Sequence, residues 1–346
     1  MPRFASIQVM RAVAALAVLL FHQSLLAIGY AGVDIFFVIS GFIMGSIGTR
    51  ERPGDFIAHR LIRIVPLYWA VTLGMCLMSF VPGLFANFTF DGPALLKSLF
   101  FIPYAQPNGE IWPLVVPGWT LNYEMLFYLV FWLGLVARRP FTMAALLLGA
   151  LILSGLALHP ENAIWRSWSD PLLLEFVAGL LLSRLGWLRG RIVGGGLLLL
   201  GVLGFATAAY IGGDTGNWRP IILGLPAFAL VSGALAMERG TAIDPAAVDP
   251  AAGHSKRTWR YLRPLELIGD WSYSLYLLHG LALKAVEKPL AALPWLDVPL
   301  GIFASLALAY ASYRFFERPV GRALRRLLHR RSVPAQPVII SREIGV

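Results

Sequence analysis

The sequence predicts an all-α, polytopic membrane helix bundle with about ten transmembrane helices, and three observations carry that prediction. Of 346 residues 58% are hydrophobic and only 14% charged, and the mean hydropathy of +0.69 lies outside what a soluble domain of this length shows. Apolar runs long enough to cross a bilayer recur along the chain. The basic residues fall in alternate connecting segments rather than evenly.

Allowing for tilt, the runs cover Ile7 to Ile28, Gly32 to Gly48, Ile64 to Pro82, Trp119 to Val136 and Phe141 to Leu158. They continue with Pro171 to Leu185, which is short, then Ile192 to Ile211, Pro220 to Met237, Leu265 to Val286 and Trp295 to Phe316. No small-residue cleavage site follows the first run, so it reads as a retained helix rather than a signal peptide. Pro93 to Pro103 is too short to span and reads as re-entrant or interfacial. Glu51 to Val65, after Pro53, reads as a short interfacial helix.

With the N-terminus inside, twenty-two of the 29 basic residues fall in inner segments, while Lys97, Arg166, Arg219 and Lys288 fall outside. Both termini are therefore expected in the cytoplasm, around an even number of spans. This distribution accounts for the net charge of +10 without nucleic acid, and directs it toward anionic lipid or an anionic cytoplasmic ligand. The expected organisation is a single transmembrane domain over residues 1–327, interrupted by a polar loop at about 238–264, and a basic, flexible tail over 328–346. One cysteine, Cys76, excludes a disulfide framework and a multi-cysteine metal site, and no metal is expected.

Two ionisable residues stand inside the first apolar run, Arg11 and His22. Eleven residues advance about 16 Å and three turns, so both project from nearly one face, which should meet a protein interior or a wet cavity rather than lipid. A histidine that merely ties helices together and an arginine that snorkels would satisfy the same spacing. By position within their spans, His22, Asp34, Glu124 and His279 fall in one layer near the outer side, with Arg11, Arg60, Arg63 and the Pro66 to Trp69 stretch near the inner side. Arginine suits phosphate because its planar fork binds oxygen pairs and stays charged, although a solvated positive-inside role also fits Arg60 and Arg63.

Several fragments together resemble the integral-membrane acyltransferase 3 family. They are Arg11 with His22, GVDIFFVISGF at Gly32 to Phe42, HRLIRIVPLYW at His59 to Trp69, WTLNYEMLFYL at Trp119 to Leu129, SYSLYLLH at Ser272 to His279 and FERP at Phe316 to Pro319. Each is weak alone, but they stand in family order over nearly the whole membrane portion. Many members carry two adjacent acidic residues in the fourth-span motif, where this chain has Tyr123, Glu124 and Met125, a form similar to the subgroup associated with exopolysaccharide acetylation. A second carboxylate from that motif is therefore not expected, nor is the appended SGNH-type domain of some relatives.

The resemblance implies a multi-pass enzyme of the bacterial inner membrane. Acetyl-CoA, or another short acyl-CoA, would be the cytoplasmic donor substrate with no bound cofactor. An exopolysaccharide or lipid-linked oligosaccharide would be the acceptor, and polysaccharide assembly machinery is a candidate partner. Under it His22 becomes the general base, or an acyl-carrying nucleophile. Glu124 would support His22, and Tyr128, one turn on, would bind the acceptor or the oxyanion. Asp34 is a further catalytic candidate. Arg11, Arg60, Arg63 and Tyr68 are expected to bind acyl-CoA, with Trp119, Ser40 and His279 as other candidates. A polytopic transporter and a non-catalytic partner in polysaccharide export share the spans and buried charges, but a transporter usually shows an internal repeat, and none is visible here.

Overall fold

The computed structural model describes residues 4–80, 90–213, 215–241, 260–287 and 293–332. Most of the expected polar loop, 242–259, and of the basic tail, 333–346, lies outside them. Fourteen α-helices and no strand occur among the described residues, in keeping with the all-α bundle. They are α1 (Ala5–His22), α2 (Gly32–Ser46), α3 (Pro53–Met78), α4 (Gly92–Leu99), α5 (Trp119–Val136), α6 (Pro140–Leu158) and α7 (Ala163–Trp168). There follow α8 (Leu173–Leu182), α9 (Arg191–Ile211), α10 (Leu225–Thr241), α11 (Arg263–Asp270), α12 (Ser272–Glu287), α13 (Pro294–Ser312) and α14 (Arg318–Ser332).

Eight helical segments among the described residues are long and apolar enough to cross a membrane. Two of the expected spans are shorter. The run from Pro171 forms only the ten residues of α8, and the run from Leu265 divides at Trp271 into α11 and the 16 residues of α12. At that division Gly269 lies against the backbone of Gln8, which leaves no room for a Cβ, and the Ser272 hydroxyl donates to the Gly269 carbonyl at 2.9 Å. The division thus follows from packing against α1, a contact that hydropathy does not register.

The expected interfacial helix after Pro53 is instead the first part of α3, a single 26-residue helix that continues through Pro66. Proline has no N–H for the helical ladder. Two residues before it the Ile64 carbonyl accepts from the Tyr273 hydroxyl at 2.8 Å, which ties α12 to this stretch of α3. The segment from Pro93 forms the eight-residue α4, held to α3 by the Trp69 indole N–H, which donates to the Leu99 carbonyl at 2.8 Å.

The helices α1, α2, α5 and α10 are mostly buried, whereas α6, α9 and α13 ring them. On α9, Ile192, Leu199, Leu200 and Leu203 are exposed, the apolar surface that a lipid-facing helix needs. In the centre, α2 and α8 cross backbone to backbone: Gly41 meets the Phe176 carbonyl and Gly179 meets the Val38 carbonyl, where any side chain would push the helices apart. The start of α1 is tied to the end of α10, since Glu238 accepts from the Ala5 N–H at 2.9 Å, from the Ser6 N–H at 3.2 Å and from the Ser6 hydroxyl. These ties fix one end of the bundle, called here the basic end, from which α1 leads to His22 at the opposite end.

Candidate active site

Near the basic end α1, α2, α3, α5 and α12 surround a cavity of about 90 Å³. Its polar lining includes Arg11, Ser40, Arg60, Arg63, Glu124 and Tyr128. Glu124 and Tyr128 meet because they stand four residues apart on α5, one above the other. The Glu124 carboxylate accepts from the Tyr128 hydroxyl and, across the helix interface, from the Ser40 hydroxyl at 3.1 Å. An anion held by two hydroxyls and facing guanidinium groups has what a buried charge requires.

The arginines are fixed from several elements. Arg11 donates through Nε at 3.1 Å and Nη2 at 2.9 Å to the Ser272 hydroxyl, whose own hydrogen goes to Gly269. Arg60 donates to Glu51 at 3.0 Å, and the other oxygen of that carboxylate lies 2.8 Å from His59 Nδ1. Arg63 makes no ion pair among the described residues. A wider vestibule of about 430 Å³ opens beyond them, lined by Gln8, Glu51, His59, Asp270, Glu317 and Arg325 among others. Arg11, Arg60 and Arg63 line both spaces, so the neck between vestibule and cavity is made of three guanidinium groups.

His22 is exposed at the far end of α1. Its Nδ1 lies 2.8 Å from the Val18 carbonyl. A carbonyl can only accept, so Nδ1 carries a hydrogen, and in the neutral ring Nε2 keeps the lone pair. His279, 2% exposed, is arranged the same way, with Nδ1 at 2.7 Å from the Tyr276 carbonyl and 3.2 Å from that of Leu275. The two imidazoles meet edge to face at 4.7 Å between ring centres. The Tyr276 ring connects this pair to the cavity: it lines the cavity, stands 5.7 Å from Phe36 and lies 6.1 Å from His279.

The layer of four titratable groups expected from sequence is thus divided among three places. His22 and His279 meet, but Glu124 does not join them; it belongs to the arginine cavity. Ahead of α5, Leu114, Val115 and Gly118 are buried while Val116 is exposed, and the Tyr68 ring lies against Gly118. Counting turns along a span does not show which neighbours a helix face meets, and α5 turns Glu124 toward Ser40 of α2 and the arginines. Asp34, fully buried, forms a third group with Arg219, which donates to it through Nε at 3.0 Å and Nη2 at 2.9 Å. Trp119 stands beside that ion pair, with its ring 6.0 Å from the Arg219 guanidinium carbon. Tyr68 lines neither space; it is buried and stacked on Phe101 at 4.9 Å.

Sequence reasoning missed Ser272, Tyr276, Glu317, Glu175 and Arg219 as individual residues. The first three lie in fragments already quoted, SYSLYLLH and FERP, and Glu317 accepts from the Ser274 hydroxyl at 2.7 Å. Glu175 is a carboxyl inside an apolar run, itself a signal, and it is buried beside Asp34 and Arg219. For Arg219, placed just before a π-turn at Pro220–Gly224, nothing in the local sequence announces its partner.

The acyltransferase domain profile of the acyltransferase 3 family matches residues 4–314. The chain belongs to this family. Among the relatives of this acyltransferase, the exopolysaccharide production protein ExoZ of Rhizobium meliloti (strain 1021) is 38% identical over 86% of the chain and 92% of the relative. The acyltransferase MdmB of Streptomyces mycarofaciens is 27% identical over 88% of the chain and 83% of that protein. The O-acetyltransferase OatA of Staphylococcus aureus is 27% identical over 90% of the chain, which spans 56% of that longer protein. No solved structure matches the chain at a significant level. The protein is a membrane O-acyltransferase, which sets aside the transporter and the non-catalytic export partner considered from sequence.

Proposed function

We propose that this enzyme transfers an acetyl group, or another short acyl group, from acyl-CoA to a hydroxyl of an exopolysaccharide or lipid-linked oligosaccharide. It works in the bacterial inner membrane with both termini in the cytoplasm, alongside the machinery that assembles the polysaccharide. The observation that carries this reading is the neck of Arg11, Arg60 and Arg63 between a wide vestibule and a narrow cavity. Guanidinium forks suit the phosphates of a coenzyme A donor, and a narrow space beyond them suits its thin arm. The name of the relative ExoZ ties that protein to exopolysaccharide production, and the name of OatA ties that one to O-acetyl transfer.

The phosphates rest at the neck, and the pantetheine arm runs along α1 past Tyr276 toward His22, about 16 Å further. The acceptor hydroxyl approaches from the opposite side. His22 Nε2, free because Nδ1 is committed to Val18, takes the hydroxyl proton as the oxygen attacks the thioester carbonyl. When the carbon–sulfur bond breaks, the coenzyme thiolate leaves and the imidazolium returns the proton to it. Glu124 acts within the donor cavity, fixing the Tyr128 and Ser40 hydroxyls and balancing the arginines.

Purified protein in vesicles, given acetyl-CoA labelled in the acetyl group and polysaccharide stripped of its acetyl esters by mild alkali, should move label onto the polysaccharide. No transfer by folded protein from acetyl-CoA or succinyl-CoA overturns the proposal.

A further inference from the structure

At the end of the bundle opposite the neck, a row of aromatic rings leads to His22. The His22 and Phe21 rings stand 5.1 Å apart, and Phe21 and Tyr30 stand 5.5 Å apart. The Arg219 guanidinium carbon then lies 5.7 Å from the Tyr30 ring and 6.0 Å from the Trp119 ring. Phe21 is exposed, and Tyr30, Arg219 and Trp119 are partly exposed, so the row has a face that a ligand can reach. The residues come from α1, the turn before α2, the segment before α10 and the start of α5, and four separate elements therefore build it.

The guanidinium in this row is held in place. Asp34 grips it through Nε and Nη2, which leaves the Nη1 hydrogens and one Nη2 hydrogen for another acceptor. Asp34 offsets the charge of Arg219, and the Glu175 and Asp170 carboxyls stand near the same guanidinium, so the site presents aromatic faces and oriented donors without excess positive charge. That combination matches a sugar chain, whose rings carry apolar C–H faces and a rim of hydroxyls, because Tyr and Trp join an apolar body to a polar tip. We propose that Phe21, Tyr30, Arg219 and Trp119 form the acceptor subsite, along which a glycan lies with its reacting hydroxyl at His22. Asp34 is the positioning residue for Arg219. The inference rests on the acyl-transfer reading above and supplies the half of the site that the donor neck leaves open.

Aromatic side chains at a membrane surface also anchor proteins in the lipid interface. Such anchoring would not need a guanidinium fixed by a fully buried carboxylate, nor a row ending at the exposed imidazole.

The test measures binding and turnover separately on protein in vesicles. With saturating acetyl-CoA and deacetylated polysaccharide from cells lacking this protein, Tyr30→Leu and Trp119→Leu should each raise the acceptor KM about tenfold. The donor KM and the kcat at saturating acceptor should stay within about twofold. Tyr30→Phe and Trp119→Phe, which keep the ring, should recover most of the loss. Without donor, wild-type vesicles should carry down several-fold more of the same polysaccharide on sedimentation than Trp119→Leu vesicles. Equal sedimentation overturns the subsite whether or not acyl transfer occurs, as does a leucine variant that only detaches from or misinserts into the bilayer. If wild type transfers no acyl group yet still holds polysaccharide through these residues, the acyl-transfer reading fails and the glycan site stands.

Discussion

His22 and His279 meet edge to face, each with its Nδ1 hydrogen given to a carbonyl of its own helix. Two imidazoles with the same nitrogen committed therefore stand side by side, and each in its neutral form keeps its lone pair on Nε2. Of the two only His22 is exposed, so in the proposed reaction it is the one that the acceptor meets, with the buried His279 ring packed against it.

His22→Ala should reduce acyl transfer by about 10²- to 10⁴-fold while the protein inserts and keeps its donor affinity. His279→Ala should cost less, because it removes a neighbouring ring and not the base. Label transfer in vesicles together with acetyl-CoA calorimetry checks both; near-normal transfer by His22→Ala would remove the general-base assignment.

The neck predicts a different failure. Arg63→Ala should raise the donor KM tenfold or more with little change in kcat, since it removes a cation with no ion-pair partner among the described residues. Arg11→Lys should act in the same direction, because lysine keeps the charge but loses the two-pronged contact with Ser272. A normal donor KM in both variants would locate the phosphates elsewhere.

Glu124→Gln should lower the rate and, because the charge facing three guanidinium groups is lost, destabilise the protein by about 1–3 kcal/mol. Tyr128→Phe removes one hydroxyl from a carboxylate that keeps Ser40, so a smaller loss of about 1 kcal/mol is expected. Thermal unfolding in detergent, read beside activity, separates the two effects; equal stability of all three proteins would contradict the charge argument.

Breaking the buried ion pair should be expensive. Arg219→Met leaves Asp34 uncompensated and should cost about 3–5 kcal/mol. The double variant Asp34→Asn with Arg219→Met should recover a large part of that. A double variant no more stable than the single one would mean that the pair contributes through packing and not through charge.

Sidedness can be read with an impermeant thiol reagent. Cys76 is buried, so native background labelling should be low. Cysteines introduced at Asn108 and Asn162 should react from outside intact cells, and one at Arg138 should not. The reverse pattern would overturn the cytoplasmic donor model.

Much of the fold was legible because hydropathy sums over some twenty residues, and so large a signal survives local irregularity. The exceptions are instructive. The division at Trp271 comes from Gly269 fitting against Gln8, and the brevity of α8 accompanies its backbone contact with α2 at Gly41 and Gly179. Both depend on contacts between distant segments. The same holds at the site: Arg11 and His22 are conspicuous as ionisable residues in an apolar run, and Tyr128 follows from Glu124 by helical spacing. Asp34 is conspicuous too, but its partner lies 185 residues away, beyond the reach of any local rule. Glu124 stands apart from the histidines because sequence shows where a helix runs along the chain and not which neighbours its faces meet.

The three guanidinium groups at the neck also bear on the membrane as an insulator. On the proposed donor route, a passage for the coenzyme arm that opens toward the cytoplasm and reaches toward the other side would be a potential short circuit for protons and small cations. Glu51 offsets Arg60, but Arg11 is held by a neutral hydroxyl and Arg63 by no carboxylate among the described residues. On that route the three guanidinium groups, partly offset by Glu124 and Glu317, would turn cations away while admitting an anionic donor. The selectivity that gathers substrate would then let the cell keep its ion gradients across an enzyme that works through the bilayer.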